Sequence, residues 1–472
     1  MTEREKGNGA EFLGRVTPEL LAKHDRPGPR YTSYPTAVEF HDGFTESDYR
    51  ERLDAANAKG GPISLYVHIP FCEERCSFCG CNVTITRKRR VADLYLEHLH
   101  REIELLAAAL PNRRELLQYH WGGGTPTYLD LDQIEALQKK VSEHFRISGG
   151  AEVAIEVDPR VTTEDQLKLL RSLGFNRISL GVQDFTREVQ EAVNRVQSVE
   201  ETRRIVDKAR ELGFGSVNID LIYGLPRQTI ESFGRTLATT IAMRPERVAV
   251  YSFAFVPWIR GNQRKLMEEH LPGRDVKFGL FAEAIRSFLA AGYLQIGMDH
   301  FALPEDEMGR AATNKTLFRN FMGYTVHKAP DFLGLGVSSI GSVSGAFAQN
   351  EKKLVRYYEA IEKGRFPIEK GYVLSEDDRI RAKVIMELMC NFGVMAKDVS
   401  EAFGIDFSRY FEKEMAELAE PDGAKDQGFV DVSEEGVQVN PLGRLFIRNV
   451  CMIFDPYMRK KRDGRPVFSR TV

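Results

Sequence analysis

Short apolar runs rich in β-branched residues recur along the first half of the chain and alternate with helical patterns. The runs cover residues 64–69, 117–121, 151–157, 177–182, 216–223 and 247–255. In the helical stretches apolar residues recur at steps of three and four. One such series is Tyr95, Leu99, Ile103, Leu106 and Leu110. Strands that alternate with helices at a spacing of roughly 30 residues predict a parallel sheet. Six βα units, rather than eight, predict an open, partial (β/α)6 barrel.

The pattern changes on both sides of this predicted barrel. Residues 1–60 are interpreted as an N-terminal arm with helical pieces, because the stretch 27–40 holds too many Pro, Gly and Ser residues for a long helix. Residues 61–372 are expected to form the barrel and an extension of it. Residues 373–472 show helical patterns and a strand pair, which predict a mostly helical, winged-helix-like C-terminal domain. The expected fold class is therefore α/β, with an arm before the barrel and a helical domain after it.

Length and charge narrow the possible partners. The 472 residues exceed one ordinary core, so a large unit and a smaller one are expected. The net charge of −3 provides no field for nucleic acid or anionic lipid. The N-terminal stretch has no apolar core of signal-peptide length, and no run of about 18 apolar residues occurs. We therefore expect a cytoplasmic protein with no nucleic-acid or membrane partner, whose reducing compartment keeps its cysteines as thiols.

Four of the six cysteines crowd into ten residues of the stretch YVHIPFCEERCSFCGCN, residues 66–82. The apolar start of this stretch predicts a strand that ends at its proline, so the cysteines lie on a loop. Cys72, Cys76 and Cys79 have the spacing C-x3-C-x2-C, which can bring three thiolates to one soft inorganic centre. Four-iron clusters usually take four cysteines, so three ligands would leave one iron open. Cys81 is too close to Cys79 for an unstrained fourth bond, and a tetrahedral zinc site stays an alternative.

Polar or glycine-rich residues accompany the next predicted strands, where barrels of this kind carry their reactive groups. These residues are Gly122–Thr125 after the second strand, Glu156 and Asp158 at the end of the third, Gln183 and Asp184 after the fourth, and Asp220 within the fifth. Glycine lets a ligand approach the backbone closely, although a tight turn is the commoner reason for a glycine triplet. A carboxylate such as Asp220 among apolar neighbours is costly unless it is paired, which favours a functional role.

These motifs resemble those of a known family. A C-x3-C-x2-C loop after a first strand, with Phe78 before its last cysteine, resembles the signature of radical S-adenosylmethionine (SAM) enzymes. The strings HIPFC and CSFCGCN resemble more narrowly the oxygen-independent coproporphyrinogen III oxidase (dehydrogenase) branch, in which a C-x-C ending is characteristic. Similar strings continue to the C-terminus: WGGGTPTYL, EVDP, SLGVQDF, NIDLIYGLPRQ, DHFALPEDE, NFMGYT and RNVCMIFDPYMR. The resemblance therefore spans nearly the whole chain.

The resemblance implies a set of cofactor contacts. Cys72, Cys76 and Cys79 would hold a [4Fe-4S] cluster. The residues implied around a first SAM are Tyr66, Gly123, Glu156, Gln183, Arg195 and Asp220. The positions implied for a second SAM are Phe78, Gly124, Thr125, Ala254 and Ile340. Cys81 and Tyr66 are the predicted catalytic residues.

The expected reaction also comes from the resemblance. Two propionates of coproporphyrinogen III would become vinyls with release of two CO2, giving protoporphyrinogen IX. One electron would split SAM to a 5′-deoxyadenosyl radical, which takes a hydrogen atom from the propionate. A flavodoxin or ferredoxin is the expected electron donor, and we expect a monomer. Arg30 and Tyr31 in the arm are predicted to bind the substrate, since a guanidinium forms paired bonds to carboxylates.

Two other interpretations remain open. A haem chaperone of the same superfamily would bind haem and SAM without decarboxylation, although Cys81 and the arm sequence PGPRYTSYPTA favour the enzyme. A zinc-dependent DNA-binding regulator would use the cysteine loop structurally and the C-terminal domain for DNA. The many acidic residues between positions 376 and 422 argue against a surface that faces phosphates.

Overall fold

The structure is a computed structural model in which residues 10–460 and 468–471 are described. Parts of the predicted arm and C-terminal domain, residues 1–9, 461–467 and 472, lie outside the described residues. The strands are β1 (Ile63–Ile69), β2 (Phe71–Cys72), β3 (Thr84–Ile85), β4 (Glu115–Gly123), β5 (Arg146–Val157), β6 (Arg177–Gln183), β7 (Ser216–Tyr223), β8 (Arg247–Ser252), β9 (Leu294–Ile296), β10 (His300–Ala302), β11 (Phe318–Asn320), β12 (Gly323–Thr325), β13 (Phe332–Leu335), β14 (Ile340–Val343), β15 (Ala346–Asn350), β16 (Ile368–Val373), β17 (Gly393–Met395), β18 (Val430–Ser433) and β19 (Gly436–Val439).

The helices surround these strands. They are α1 (Pro18–His24), α2 (Glu46–Lys59), α3 (Val91–Ala109), α4 (Leu131–His144), α5 (Glu164–Ser172), α6 (Arg187–Ala192), α7 (Val199–Glu211), α8 (Ile230–Met243), α9 (Arg274–Ala290), α10 (Glu307–Thr313), α11 (Leu354–Glu362), α12 (Glu376–Asn391), α13 (Ala396–Phe403), α14 (Phe407–Tyr410), α15 (Glu412–Ala419), α16 (Pro441–Leu445), α17 (Ile447–Ile453) and α18 (Pro456–Arg459). Short 3-10 helices cover Glu11–Arg15, Pro126–Tyr128, Gly261–Lys265 and Glu268–His270. In the described part of the chain, no helix is both long and apolar enough to cross a membrane.

A mixed sheet of twelve strands forms the centre of the molecule, in the order β16-β15-β14-β13-β1-β4-β5-β6-β7-β8-β10-β9. The six strands of the predicted barrel, β1 and β4 to β8, are all present, and each pairs in parallel with the next. The last of them ends at Ser252, three residues before the predicted end. The predicted α/β class with a partial parallel barrel is confirmed.

The sheet continues beyond β1, which the sequence pattern did not predict. Strand β13 pairs with β1 in parallel and is a seventh parallel strand, followed by antiparallel β14, β15 and β16. Glycine permits the close packing of this extension, since a Cβ at Gly334 would lie 2.6 Å from the Ile340 carbonyl oxygen. Gly interrupts β13, Gly and Ser interrupt β14, and the four strands are only four to six residues long, so the pattern missed them.

Side chains alternate along the barrel strands and separate the core from the interior of the barrel. In β4, Tyr119 and Trp121 are buried and contact Phe175 on the outer face. Gln118 and His120, at the alternate positions, face a polar cavity of about 120 Å³ inside the barrel. This period of two follows from strand geometry, in which successive side chains point to opposite faces.

Buried charges join the extension to the barrel. Arg113, fully buried after α3, pairs with Asp331 at the start of β13 and donates to the carbonyl oxygens of Gly61 and Pro62 at 3.0 and 2.8 Å. The second Asp331 oxygen accepts the Ser344 N–H at 2.6 Å. Loss of one partner of such a pair leaves an uncompensated buried charge, so this contact fixes the position of the extension.

Glu102 of α3 makes a second buried link to the extension. Its carboxylate accepts hydrogen bonds from the Gly336 N–H (2.7 Å), the Asn350 amide (2.6 Å) and the Tyr357 hydroxyl (2.7 Å). Burial raises the pKa of Glu102 from its usual 4.5 to about 7, although the three donors oppose that rise. The carboxyl group is therefore partly protonated in the folded protein at neutral pH.

The N-terminal arm is fixed to the end of the chain. Arg448 in α17 is buried, and its guanidinium donates to the carbonyl oxygens of Gly28 and Pro29 in the arm. The same guanidinium donates to the carbonyl oxygens of Ser469 and Arg470. One side chain thus clamps the arm and the described C-terminal residues onto the C-terminal helices.

The C-terminal domain combines helices α12 to α18 with a small antiparallel sheet. The predicted strand pair is present as β18 and β19, and β17 adds a third strand beside β19. The apolar patterns around Cys390 and Cys451 predict inert core thiols. Both cysteines are buried and free, and burial raises the pKa of Cys390 to about 12.

Glu102 predicts a pH dependence of stability. A carboxyl group with a raised pKa in the folded state stabilises the protein fully below its unfolded pKa, and this contribution is lost as the pH rises through about 7. The free energy of unfolding should therefore fall between about pH 4.5 and pH 7 by more in the wild type than in Glu102→Gln. The variant should also lose about 1 to 3 kcal/mol at low pH, because its amide cannot accept all three bonds.

Urea denaturation of both proteins at several pH values measures this effect. Glu104→Gln is the matched control, since Glu104 lies on the same helix and its side chain is half exposed. Equal pH slopes for the wild type and Glu102→Gln would contradict the assignment.

Candidate active site

The cysteine loop lies at the carboxyl end of β1. After Pro70 the chain forms β2, and it returns as β3, which pairs with β2 in parallel. The Thr84 N–H donates to the Pro70 carbonyl oxygen at 2.7 Å, and the Thr86 N–H donates to that of Cys72 at 3.0 Å. The loop is thereby closed at its base on the edge of the barrel.

A segment after β8 holds the tip of the same loop. The side-chain amide of Asn262 donates to the carbonyl oxygens of Cys76, Ser77 and Cys79 at 3.2, 3.0 and 3.0 Å. Without such a donor, these carbonyl groups would form hydrogen bonds with water. Here three of them converge on one side chain, which fixes the backbone between the cysteines.

Cys72, Cys76 and Cys79 line one cavity of about 480 Å³. The Cys72 sulfur lies 3.4 Å from the Thr125 hydroxyl, and Arg195 Nη1 donates to Cys76 Sγ at 3.6 Å. Burial raises the pKa of Cys72 to about 11. Hydrogen bonds from Cys81, including its N–H at 3.4 Å, lower the pKa of Cys79. The wall of the cavity thus offers soft sulfur donors in distinct electrostatic surroundings.

The arrangement of these sulfurs favours a cluster over a single zinc ion. A tetrahedral zinc with Zn–S bonds of about 2.3 Å requires sulfurs about 3.8 Å apart. Among the described residues, no three cysteine sulfurs lie within 4.8 Å of one another. A larger, multi-iron centre fits three separated thiolates on one cavity wall, and a donor set of sulfur alone is typical of iron–sulfur clusters.

The glycines at the end of β4 make room for two side chains of the site. A Cβ on Gly122 would lie 2.8 Å from the Glu156 carboxylate, and one on Gly123 would lie 2.5 Å from the His68 ring. Gly123 also has φ +115°, which other residues rarely adopt. The glycines are therefore required by close packing at the strand ends.

Glu156 at the end of β5 is held as a carboxylate. It accepts the Gly123 N–H at 3.1 Å and lies 3.3 Å from His120 Nε2. Burial by itself would raise the pKa of Glu156, but the hydrogen bond and charge of His120 and the backbone N–H together lower it below its usual value. A negative charge is thus available at neutral pH on the cavity wall.

Asp158 is charged for a different reason. Arg195 Nη1 lies 3.1 Å from Asp158 Oδ2, and Arg160 binds the same carboxylate through Nε at 3.0 Å and Nη2 at 2.7 Å. Burial opposes ionisation, but Arg195 and Arg160 lower the pKa of Asp158 to about 2. Arg195 also donates to the Gly181 carbonyl oxygen, while its Nε has no hydrogen-bond partner within the described residues.

The hydrogen-bond partners of Asp220 in β7 are neutral. Its carboxylate accepts hydrogen bonds from Asn218 at 2.8 Å and from Ser179 at 3.3 Å. Burial raises the pKa of Asp220 to about 7, and these two donors oppose the rise. The cavity therefore contains a carboxyl group that is partly protonated at neutral pH, close to two that are charged.

Most of the predicted site residues meet at this cavity. Those that line it are Cys72, Cys76, Phe78, Cys79, Cys81, Gly123, Gly124, Thr125, Glu156, Gln183, Arg195 and Asp220. Ala254 and Ile340 are not among its lining residues; Ala254 accepts a hydrogen bond from Gln263, and Ile340 begins β14. Ala254 nevertheless lies beside the cysteine loop, because the same Gln263 amide also donates to the carbonyl oxygen of Phe78 at 3.4 Å. Both positions stay predictions.

Tyr66 lies behind the cavity wall. Its hydroxyl is 3.1 Å from His68 Nδ1, and the other ring nitrogen of His68 is 3.1 Å from the Asn82 carbonyl oxygen. Its ring also stacks on that of His120 at 5.8 Å. Tyr66 therefore contacts side chains that support Glu156 and the end of the cysteine loop, rather than the cavity itself.

The two predicted substrate residues are engaged within the protein. Arg30 pairs with buried Asp299, and its guanidinium lies 5.5 Å from the centre of the Tyr251 ring. A carboxylate ligand of Arg30 would have to share it with Asp299. Tyr31 is 1% exposed, and its hydroxyl donates to Asp455 at 2.9 Å. The substrate contact of Tyr31 stays a prediction, and in this structure the side chain lies inside the interface between the arm and the C-terminal helices.

Sequence reasoning missed several residues of the site. Arg160 and Ser179 line the cavity, and His68 and His120 support its wall. Alternation would have found Ser179 and His120, which occupy the inward positions of β6 and β4. Arg160 lies two residues after Asp158 in a turn, and nothing in the local pattern identifies its direction.

Comparison with known proteins shows which class of protein has this partial barrel and these three thiols. Residues 66–239 match the model of the radical SAM superfamily, so the fold and site are those of a radical SAM protein. Residues 374–446 match a second model, the HemN C-terminal domain. This class uses a [4Fe-4S] cluster and SAM, which the thiols and the adjoining cavity fit.

Closely similar proteins identify the family. A relative from Salmonella typhimurium is 46% identical over 453 residues, 96% of this chain and 98% of the relative, and one from Synechocystis is 42% identical over 458 residues, 96% and 97%. Both are named oxygen-independent coproporphyrinogen III oxidase. The solved structure of coproporphyrinogen III oxidase (HemN) from Escherichia coli matches with a TM-score of 0.87 and 46% identity over 91% of this chain and 97% of that one. The chain belongs to the oxygen-independent coproporphyrinogen III oxidase family of radical SAM enzymes.

This membership confirms the resemblance found in the motifs. It also confirms the predicted enzyme class, a radical SAM oxidoreductase. The interpretation as a zinc-dependent DNA-binding regulator is set aside, since relatives that cover 96% of the chain are oxidases. The individual roles of the cavity residues remain predictions.

A substitution at Gly122 tests the packing of the cavity wall. In Gly122→Ala the new methyl group would displace the Glu156 carboxylate from the Gly123 N–H and from His120. We expect SAM affinity to fall about tenfold or more, which is about 1.4 kcal/mol, while iron content stays unchanged. The spectral response of the reconstituted cluster to added SAM measures this change. Gly149→Ala is the control, because a Cβ there meets nothing within 4 Å; equal responses of both variants would contradict the role of Glu156.

Proposed function

We propose that this protein converts two propionates of coproporphyrinogen III to vinyls without oxygen, releasing two CO2 and giving protoporphyrinogen IX for haem biosynthesis. The observation that carries this proposal is the cysteine loop: three thiols on one wall of a cavity that is also lined by the carboxylates of Glu156, Asp158 and Asp220. Identity of 42–46% over nearly the whole chain with oxygen-independent coproporphyrinogen III oxidases supports the substrate. The function is therefore argued from the site and the family together.

Cys72, Cys76 and Cys79 would hold the [4Fe-4S] cluster, and one iron would stay free for the amino and carboxylate groups of SAM. When bound, the cluster and SAM supply the one-electron cleavage and the 5′-deoxyadenosyl radical that removes a hydrogen atom from the propionate. The protein fixes the loop through Asn262 and the pairing of β2 with β3. Its task is to hold the reacting carbon near the substrate and to keep water away.

The carboxylates and Arg195 would orient SAM. Charged Glu156 suits the ammonium group, and Asp220 and Gln183 suit hydroxyl groups of the ribose. Arg195 lines the cavity, and its guanidinium lies beside Cys76, so it suits a carboxylate close to the cluster. A second SAM at Phe78, Gly124, Thr125, Ala254 and Ile340 is part of the proposal. The first three line the cavity, and the other two would require the ligand to extend beyond it.

Cys81 is proposed as a catalytic residue, and Tyr66 as a residue that positions the loop. Cys81 is exposed and lines the cavity, and its N–H already binds the sulfur of Cys79. Tyr66 acts through His68, which binds the carbonyl group next to Cys81, that of Asn82. Arg30 is kept as a propionate ligand, in competition with Asp299.

The proposals for the compartment, the electron donor and the oligomeric state rest on general features of the chain. Free, crowded thiols favour the reducing cytoplasm, and a flavodoxin or ferredoxin is the proposed electron donor. We propose a monomer as the working form.

An anaerobic assay tests the proposed reaction. Reconstituted protein is mixed with coproporphyrinogen III, SAM and dithionite, and protoporphyrinogen IX, CO2 and 5′-deoxyadenosine are measured. We expect two CO2 for each product molecule. Cleavage of SAM without loss of CO2, together with tight binding of haem, would instead favour a haem chaperone and would overturn the proposal.

Cys81→Ser separates catalysis from cluster binding. Because Cys81 is not a proposed iron ligand, the variant should keep about four irons per chain and its response to SAM, but product formation should be abolished. Cys76→Ser is the comparison and should lose most of its iron. If Cys81→Ser also lost its cluster, Cys81 would be a ligand and the open iron site would be disproved.

A further inference from the structure

A set of positive side chains surrounds the outer edge of the cysteine loop. The sequence Arg87-Lys88-Arg89-Arg90 follows β3 directly, and Arg87, Lys88 and Arg90 are exposed. The whole chain carries a net charge of −3, so this concentration of cations is a local feature. No step of the proposed reaction uses it.

Contacts fix this run against the loop. Arg89 binds Glu73 of the loop at 2.8 Å, and Arg87 pairs with Glu74. The backbone just before the run is bound to the loop through the Thr86 N–H and the Cys72 carbonyl oxygen. The positive run is therefore held against the loop that carries the proposed cluster ligands.

A second positive segment flanks the loop on its other side. Arg260, Arg264 and Lys265 are exposed and belong to the segment whose Asn262 binds three loop carbonyl groups. A Cβ placed on Gly80 would lie 3.8 Å from Arg260 Nε, so Arg260 lies beside the loop tip between Cys79 and Cys81. We call Arg87, Lys88, Arg90, Arg260, Arg264 and Lys265 the basic rim.

Exposed apolar side chains accompany the basic rim. Ile85 in β3 is 40% exposed, and Trp258 and Ile259 are 38% and 49% exposed. Large apolar side chains at the surface next to complementary charges are typical of contact surfaces for proteins. A surface that binds nucleic acid is positive throughout. Here the exposed Glu268 and Glu269 come three and four residues after Lys265, so the surface carries both signs of charge.

We propose that the basic rim docks an acidic one-electron carrier protein against the cysteine loop. This inference rests on the proposed function, in which the cluster must receive an electron. One electron leaves the reduced carrier and enters the cluster, and no atom or proton is transferred. Opposite charges steer the encounter and orient the partner, and the exposed apolar side chains provide the short-lived contact that a transient redox complex needs.

Charge reversal at three rim positions tests this proposal. Lys88→Glu/Arg90→Glu/Lys265→Glu changes exposed side chains that have no ion-pair partner in the described part of the chain. The control, Lys139→Glu/Arg203→Glu/Arg204→Glu, makes the same charge change at exposed positions on the outer helices α4 and α7. The probe is a purified acidic flavodoxin, with an acidic [2Fe-2S] ferredoxin in parallel.

Three measurements are made on reconstituted protein. We expect the rim variant to bind the carrier at least about tenfold more weakly than the control, with a smaller dependence of Kd on salt. Stopped-flow reduction of the cluster by pre-reduced carrier should slow in the same proportion. Activity driven by dithionite, and its KM for coproporphyrinogen III, should be unchanged, because a small reductant needs no docking surface.

Each other outcome contradicts the proposal in a recognisable way. Equal carrier binding by rim variant and control, or no binding of either carrier by the wild type, would sink it. A raised KM for coproporphyrinogen III with dithionite would assign the rim to the anionic substrate instead. Tighter binding of a single-stranded oligonucleotide than of the carrier, lost in the rim variant, would assign it to nucleic acid. Absence of product with dithionite in the wild type refutes the proposed function itself, whatever the binding results.

Discussion

Two backbone hydrogen bonds close the cysteine loop, and the geometry of the site depends on them. Because Thr84 and Thr86 return the chain to Pro70 and Cys72, the loop is bound to the end of β1 and stays beside the neighbouring strand ends. The glycines at the end of β4 then leave space for Glu156, which would otherwise be displaced. A parallel sheet brings strand ends to one edge, so soft sulfur donors and carboxylates line the same cavity.

The three carboxylates of that cavity differ because their neighbours differ. Asp158 has two guanidinium partners, Glu156 has an imidazole and a backbone N–H, and Asp220 has only an amide and a hydroxyl. The pKa therefore ranges from about 2 for Asp158 to about 7 for Asp220. A zwitterionic ligand with hydroxyl groups would find both charged carboxylates and a partly protonated one in this cavity. Three carboxylates with the same neighbours would all have the same charge.

The sequence pattern predicted those features that depend on residues close together in the chain. The six parallel strands, the loop and most of the cavity residues followed from apolar runs, cysteine spacing and family motifs. The extension from β13 to β16 was not predictable in this way, because its strands are rich in small residues and gain stability from neighbours. The partners of Arg30 and Tyr31 lie 269 and 424 residues away, so no local pattern could show that Asp299 and Asp455 engage them.

Arg448 joins parts of the chain that lie far apart in the sequence. Its guanidinium binds the carbonyl groups of Gly28 and Pro29, 420 and 419 residues before it, and those of Ser469 and Arg470, 21 and 22 residues after it. Since nascent chains fold from the N-terminus, the barrel can form while the arm still lacks its anchor. Synthesis thus includes an interval in which the barrel strands have been made and the arm is still without Arg448, its anchor.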